Sequence, residues 1–332
     1  MRAAVLDGPE SIDVRETERP TPDPGEATIA VEASAVCGGD VEAYHEGPPG
    51  KDSVVPGHEV VGRVAEVGDG VTDLTTGDRV GVPWLHEACG RCVACSRGDE
   101  QMCPDREITG TDVDGGHAET LRAPAAYVHE IPEAFEPVET APLLCAGVTA
   151  HNGLRAAGAS AEDRVAIQGI GGLGHLGVQV ADAMGADVIA ISRGEDGRDA
   201  ALELGADRYV DAEAVDVAET LQELGGADAA LSTVPAGEAM STLVGGLAEN
   251  GTLAVVGAPS DPIELSARHL LDGDRAVVGA SSGTRAERER HLAFCARHDI
   301  APWTEEFPLR DVETALEAVE DGTVRFRAVL VP

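Results

Sequence analysis

The stretch Arg164-Val-Ala-Ile-Gln-Gly-Ile-Gly-Gly-Leu-Gly174 decides how this chain is read. An apolar run suited to a buried strand meets glycines at G-x-G-x-x-G spacing, and an Ala/Leu/Val-rich segment to about Met184 reads as a helix. In that strand–turn–helix setting Gly169 permits the tight turn, Gly171 lets the backbone approach a pyrophosphate, and Gly174 allows helix and strand to pack closely. The helix N-terminus then offers unpaired N–H groups and the positive end of its dipole to phosphate. Gly169, Gly171, Gly172, Leu173 and Gly174 are therefore read as a dinucleotide-binding loop.

Working outward, strands are predicted at Asp187–Ile191, Ala229–Thr233, Thr252–Val256 and Ala276–Gly279, with a helix near Arg198–Leu204. Strands alternating with helices at these lengths imply an α/β unit with a doubly wound parallel sheet of the Rossmann type. The end of its second strand bears on the choice of dinucleotide. A carboxylate there bonds the ribose 2′-OH of NAD. This chain has Ser192 followed by Arg193, with Arg198 in the next turn. A hydroxyl and guanidinium groups can hold a 2′-phosphate by charge-assisted bonds, which favours NADP. NAD stays open, with Glu195 or Asp196 serving its ribose.

The first 145 or so residues differ in texture. Short β-branched or near-alternating runs, Thr28–Val31 and Val60–Val67, are separated by turn signals such as Pro22-Asp-Pro-Gly25. A charged helix after Gly283 and a closing strand, Phe326–Val331, are expected to return to this unit. The expected organisation is a β-rich domain at 1–146, completed by 284–332, and a dinucleotide domain at 147–283, with the active site in the cleft.

Charge narrows the partners. The 332 residues carry a net charge of −36, and Lys51 is the one lysine. Nucleic acid and anionic membranes would be repelled. Such a surface suits concentrated salt, where the Debye length falls to about 3 Å at 1 M and self-repulsion is screened. A salt-adapted organism is the expectation. Apolar residues make up 43% of the chain, which argues for a packed globule rather than disorder. No apolar run approaches the roughly 20 residues that span a bilayer. Met1–Val5 leads into acidic strand-like sequence without a leader pattern, so the cytoplasm is expected. In a reducing compartment seven cysteines point to metal or catalysis.

Cys89, Cys92, Cys95 and Cys103 follow C-x2-C-x2-C-x7-C. Four thiolates this close can wrap one zinc tetrahedrally and leave no open position, a structural role. Free buried cysteines or an iron–sulfur cluster are the alternatives. Cys37, His58 and Cys145 lie far apart in sequence; together they could supply three ligands with a fourth position open for substrate.

These segments, in this order around the four-cysteine loop, resemble the zinc-containing medium-chain alcohol dehydrogenases over essentially the whole chain. Gly57-His58-Glu59, Val82-Pro-Trp-Leu85, Asp114-Gly-Gly116 and Leu144-Cys-Ala-Gly-Val-Thr149 carry the likeness, particularly to members preferring small alcohols. The resemblance implies a GroES-like catalytic domain and a catalytic zinc on Cys37, His58 and Cys145, with Glu59 able to approach the metal. It implies that Asp40 bonds the ligating histidine, fixing its tautomer. Thr149 would pack on the nicotinamide, Leu173 would lie behind its ring, Arg327 would reach the pyrophosphate, and Trp84 would narrow the substrate site. The implied enzyme carries two zincs per chain, moves a hydride between a small alcohol (or its aldehyde or ketone) and NADP(H), and is a homo-tetramer or homo-dimer.

One position departs from that pattern. The family's Ser or Thr two residues after the first cysteine ligand, which passes the substrate proton outward, is Gly39 here, and a frequent histidine beyond it is Glu42. A water beside Gly39, connected to Glu42 or His45, is one route. A substrate that brings its own hydroxyl, as a polyol or sugar would, is the other. The rival readings are thus a polyol or sugar dehydrogenase, a non-catalytic NADPH-binding regulator and, further off, a zinc-free quinone reductase relative. His86, His117, His151 and Cys295 receive no role.

Overall fold

The computed structural model describes residues 1–332. Backbone packing divides them into two compact units, Met1–Cys145 with Thr284–Arg290 and Ala301–Pro332, and Ala146–Gly283 with His291–Ile300. The helix Arg285–His298 contributes residues to both.

The second unit is built on six parallel strands. In space they run Arg208–Asp211, Asp187–Ser192, Arg164–Gln168, Ala227–Ser232, Leu247–Val255, Ala276–Gly279. Numbered along the chain within this sheet, that order is 3-2-1-4-5-6, the Rossmann arrangement, whose ligand crevice opens where the order reverses. The reversal lies between Arg164–Gln168 and Ala227–Ser232. Helices such as Gly174–Met184 and Gly237–Gly245 cover the faces. Val165–Ile167 and Val188–Ile191 are accordingly fully buried, as central strands covered on both sides must be. The fifth strand begins at Leu247, earlier than the apolar pattern from Thr252 suggests. Its polar opening, with Asn250 at φ +63° and Gly251, hides the extension from a hydropathy reading.

The first unit is β-rich, with the GroES-like architecture. Its main sheet joins Thr304–Pro308, Arg327–Val331, Glu26–Ala35, Val60–Val67, Arg79–Val82 and His129–Glu130 in that order, and Thr120–Pro124 also pairs with Glu26–Ala35. Ala27, Ile29, Val31, Val60, Val64, Val80 and Leu121 form one of its cores. The closing strand Arg327–Val331 pairs antiparallel beside Glu26–Ala35, through Val329↔Ala35 and Leu330↔Ser34. A small ribbon, Leu85–Glu87 with Glu107–Ile108, frames the cysteine loop. No helix is long and apolar enough to cross a membrane.

Candidate active site

Strand register brings the scattered ligand candidates together. Ser34 pairs with Val60 across the sheet, and the Ala35 N–H donates to the Glu59 carbonyl at 2.9 Å. The ends of these two strands therefore deliver Cys37 and His58 to one place. Cys37 caps the helix Gly38–Glu46, and Asp40, three residues on, turns back to accept the Cys37 N–H at 2.8 Å. Its other carboxylate oxygen accepts the Gly57 N–H at 3.1 Å and faces His58 Nδ1 at 3.6 Å. One buried carboxylate thus ties both ligand-bearing segments. Gly57 is required there: its φ is +100°, and a Cβ would stand 2.4 Å from His117 Nδ1.

Cys145 arrives from another direction, at the break between the turn Ala141–Leu144 and the helix Ala146–Ala156. The donor atoms of Cys37, His58, Glu59 and Cys145 all lie within 4.8 Å of one another. Glu59 also ion-pairs with the buried Arg327, whose Nη2 donates to the Val36 carbonyl at 3.0 Å.

The electrostatics of this cluster favour a cation. A hydrogen bond from the Cys145 thiol holds the Cys37 thiol well below its ordinary range despite burial, and the proton kept by Cys145 puts that thiol well above. Burial opposes a charged His58, but Asp40, Cys37 and Glu59 outweigh it and hold the ring up to about 10. Burial pushes Glu59 up to about 8 against the pull of Arg327. Glu59, an anion in water, retains a proton here and Cys145 holds its own more tightly, because too many acidic groups share one dry volume. A divalent cation would replace those protons, and two sulfurs, a nitrogen and a carboxylate suit zinc.

The second cluster is made of Cys89, Cys92, Cys95 and Cys103, whose sulfurs lie within 4.8 Å of one another. All four are free thiols. The Cys95 N–H donates to Cys92 Sγ and the Cys89 N–H to Cys103 Sγ, each at 3.5 Å. Such amide-to-sulfur bonds orient thiolates, and four sulfurs around one centre again fit zinc. His86 stays outside this set, buried with Nδ1 unpartnered.

In the parallel-sheet unit the glycine loop leads into the helix Gly174–Met184. A Cβ on Gly174 would stand 1.7 Å from the Gly169 carbonyl oxygen, so only glycine lets helix and loop meet. A Cβ on Gly171 would meet nothing within 4 Å. Gly171 is exposed, Gly172 and Leu173 half-buried, and the open backbone suits a pyrophosphate. Thr149 is buried on the helix Ala146–Ala156. Ser192 ends the second strand and Arg193 follows it, exposed and without an ion pair. Arg198 is already engaged: it ion-pairs with Glu195, with one contact at 3.1 Å, and lies 5.2 Å from the Tyr209 ring centroid.

Other positions carry occupations that the sequence does not show. Arg327, assigned to a pyrophosphate by resemblance, spends Nη2 on Glu59 and Val36. Trp84 is half-buried with the Arg106 guanidinium 5.6 Å from its ring centroid. Glu42 and His45, the candidates for carrying a proton outward, are both exposed. His45 is held by Glu10 at 3.2 Å and Glu320 at 2.9 Å, and those carboxylates raise its pKa. A Cβ at Gly39 would rest 3.5 Å from His58 Cε1, which places this residue against the ligand ring. His117 packs behind the site, its Nδ1 2.8 Å from Ser34 Oγ and its Nε2 3.9 Å from Asp40.

Arg288 is absent from the sequence reading. It is 2% exposed, its Nε donates to the Leu144 carbonyl at 3.1 Å, and its Nη1 lies 3.0 Å from His129 Nε2. The available signal is spacing: Arg288, His291, Leu292 and Cys295 share a buried face in an otherwise charged helix.

A β-rich unit with two sulfur-based ligand sets, joined in one chain to a Rossmann unit, defines a zinc-binding dehydrogenase. Residues 23–133 match the alcohol dehydrogenase GroES-like domain, and residues 172–297 match the zinc-binding dehydrogenase family. The chain is 39% identical over 334 residues to an alcohol dehydrogenase of Geobacillus stearothermophilus, covering 99% of this chain and 98% of that protein. Among solved structures it resembles a cinnamyl alcohol dehydrogenase of Sorghum bicolor, at 32% identity and TM-score 0.91 over 99% of this chain and 97% of that one. The CAD of Helicobacter pylori, complexed with NADP(H), shares 28% identity at TM-score 0.87 over 100% of this chain and 99% of that one. This protein belongs to the zinc-binding medium-chain alcohol dehydrogenase family.

Proposed function

We propose that the protein interconverts a small alcohol and its aldehyde or ketone with NADP(H), using a catalytic zinc on Cys37, His58 and Cys145 and a structural zinc on Cys89, Cys92, Cys95 and Cys103. The observation that carries this reading is the convergence of Cys37, His58, Glu59 and Cys145, donor atoms within 4.8 Å, from separate segments of the β-rich unit. Two cysteines and a histidine with a fourth position open is the ligand set known for catalytic zinc in alcohol dehydrogenases. When bound, zinc supplies Lewis acidity to the substrate oxygen and the nicotinamide supplies the hydride acceptor.

The protein's own groups do the positioning. Asp40 holds the Cys37 and Gly57 amides and faces His58 Nδ1, which leaves Nε2 for the metal. Arg327 holds Glu59 beside the three ligands, from where its carboxylate can approach the metal. The Gly169–Gly174 loop and its helix N-terminus receive the pyrophosphate. Ser192 and the unpaired Arg193 favour a 2′-phosphate, while Arg198 must leave Glu195 to join them. The acidic surface supports a salt-rich cytoplasm, and a homo-tetramer or homo-dimer is proposed. Two zincs per chain and alcohol-dependent NADPH formation are the expected result, with kcat/KM for NADP at least about tenfold above that for NAD, roughly the value of one charge-assisted contact. One zinc without turnover would leave only a nucleotide-binding regulator, and a preference for NAD would remove the role of Arg193.

A second substrate reading has its own support. Gly39 is exposed and leaves open space where a side chain would otherwise stand against His58, room for a hydroxyl belonging to a polyol or sugar. Gly39→Ser distinguishes the two. At 3.5 Å from His58 Cε1 the new Cβ makes ordinary contact, so the variant should fold. Its hydroxyl should raise turnover of ethanol or benzyl alcohol and shift its pH dependence, general acid–base catalysis being worth about 10²–10⁴-fold. Loss of sorbitol turnover with no gain on simple alcohols would favour the polyol reading.

A further inference from the structure

We infer that Arg288 is a positioning residue for the Cys145 thiolate, an inference that rests on the ligand assignment above. Each proposed cysteine ligand is preceded by a carbonyl held by a buried guanidinium. Arg327 Nη2 donates to the Val36 carbonyl at 3.0 Å, ahead of Cys37, and Arg288 Nε donates to the Leu144 carbonyl at 3.1 Å, ahead of Cys145. Both arginines are 2% exposed.

Their charge balance differs. Arg327 faces Glu59. Arg288 makes no ion pair: its Nη1 meets His129 Nε2 at 3.0 Å and its Nη2 has no partner. The imidazole is neutral, since burial and Arg288 itself hold His129 down at about 3. A guanidinium is therefore buried against a carbonyl and a neutral ring, an arrangement that costs stability unless an anion balances it.

Geometry supplies the second half. Cys145 stands at φ −129°, ψ −68°, outside helical values, where the chain leaves one turn and enters the next helix. The Arg288 bond to the Leu144 carbonyl fixes the orientation of the Leu144–Cys145 peptide there, and so aims the thiol towards Cys37 and His58.

The test uses the full-length, zinc-loaded protein with Arg288→Met and Arg288→Lys, following zinc release to a chromophoric chelator. The zinc released per chain is counted as it leaves. Arg288→Met is expected to release one zinc about tenfold faster, the range seen when outer-shell partners of a metal are removed, and to leave the other unchanged. Arg288→Lys keeps the charge but cannot span the Leu144 carbonyl and His129, so its rate should fall between. The cobalt-substituted variants should show a weakened thiolate-to-cobalt absorption in the same order, which a merely structural role would not produce. Wild-type release and absorption in Arg288→Met would overturn the inference. If that variant does not fold, release from Arg288→Lys at the wild-type rate would do so. A wild-type protein holding only the four-cysteine zinc would instead overturn the ligand assignment itself.

Discussion

His58→Ala should strip one of the two proposed zincs from the protein and lower kcat/KM for alcohols by about 10³-fold or more, the several kcal/mol that a Lewis acid contributes. His58 is the one nitrogen donor in its cluster and is 5% exposed, so solvent does not readily replace it. Its removal leaves two thiols whose protons are already shared and a carboxylate held by Arg327. That remainder is one proposed ligand short, with its carboxylate engaged by Arg327, and fixes a divalent ion poorly. The Asp40→Asn variant provides the graded comparison. It keeps an acceptor for one amide but loses the charge facing Nδ1, and an outer-shell change of this kind costs about 10–100-fold in metal affinity or activity. Metal analysis alongside steady-state kinetics reads both variants. Retention of two zincs with near-normal turnover in His58→Ala would remove the proposed chemistry.

How far the sequence carried the argument depended on how local each device is. The glycine loop needs only a strand, a turn and a helix within eleven residues, and Gly174 shows why side chains are excluded. The four-cysteine cluster closes within fifteen residues, so spacing alone suffices. Cys37, His58 and Cys145 are different: the register between Glu26–Ala35 and Val60–Val67 and the buried carboxylate of Asp40 unite the first two, and Cys145 joins them from the turn before the helix Ala146–Ala156. No spacing rule encodes that, and family resemblance stood in for it. Residues whose role depends on a distant partner were the least legible. Arg198 is an exception with a local partner: Glu195 lies three residues before it and two after Arg193, and the i,i+3 spacing gives the carboxylate to Arg198. His45 reads as a surface residue open to a relay, and nothing near it in sequence shows that Glu320, 275 residues away, is bonded to it. Arg288 lies in a helix so charged that only its spacing with His291, Leu292 and Cys295 sets this guanidinium apart.

Removing the four-cysteine metal should have a large effect of another kind. Between Cys89 and Cys103 only Cys103 is buried, while Val93 and Met102 stand out in solvent. The regular structure there amounts to the helix Val93–Ser96 and the turn Glu100–Met102. Segments this short do not hold themselves together in water. With no apolar core to oppose chain entropy, the metal–sulfur bonds must supply the order, and structural zinc contributes about 10–16 kcal/mol in small peptides. Cys103→Ser takes away the one ligand anchored in the protein interior. Trypsin should then cut at the exposed Arg91 and Arg97, with cleavage faster than wild type by about 10²-fold or more once local opening becomes nearly free. The parallel-sheet unit, whose core of Ala166, Ile189, Ile191, Leu221 and Leu253 is separate, should still bind its dinucleotide. If Cys103→Ser keeps both zincs, or loses one yet resists trypsin as the wild type does, the loop is ordered by something other than a metal.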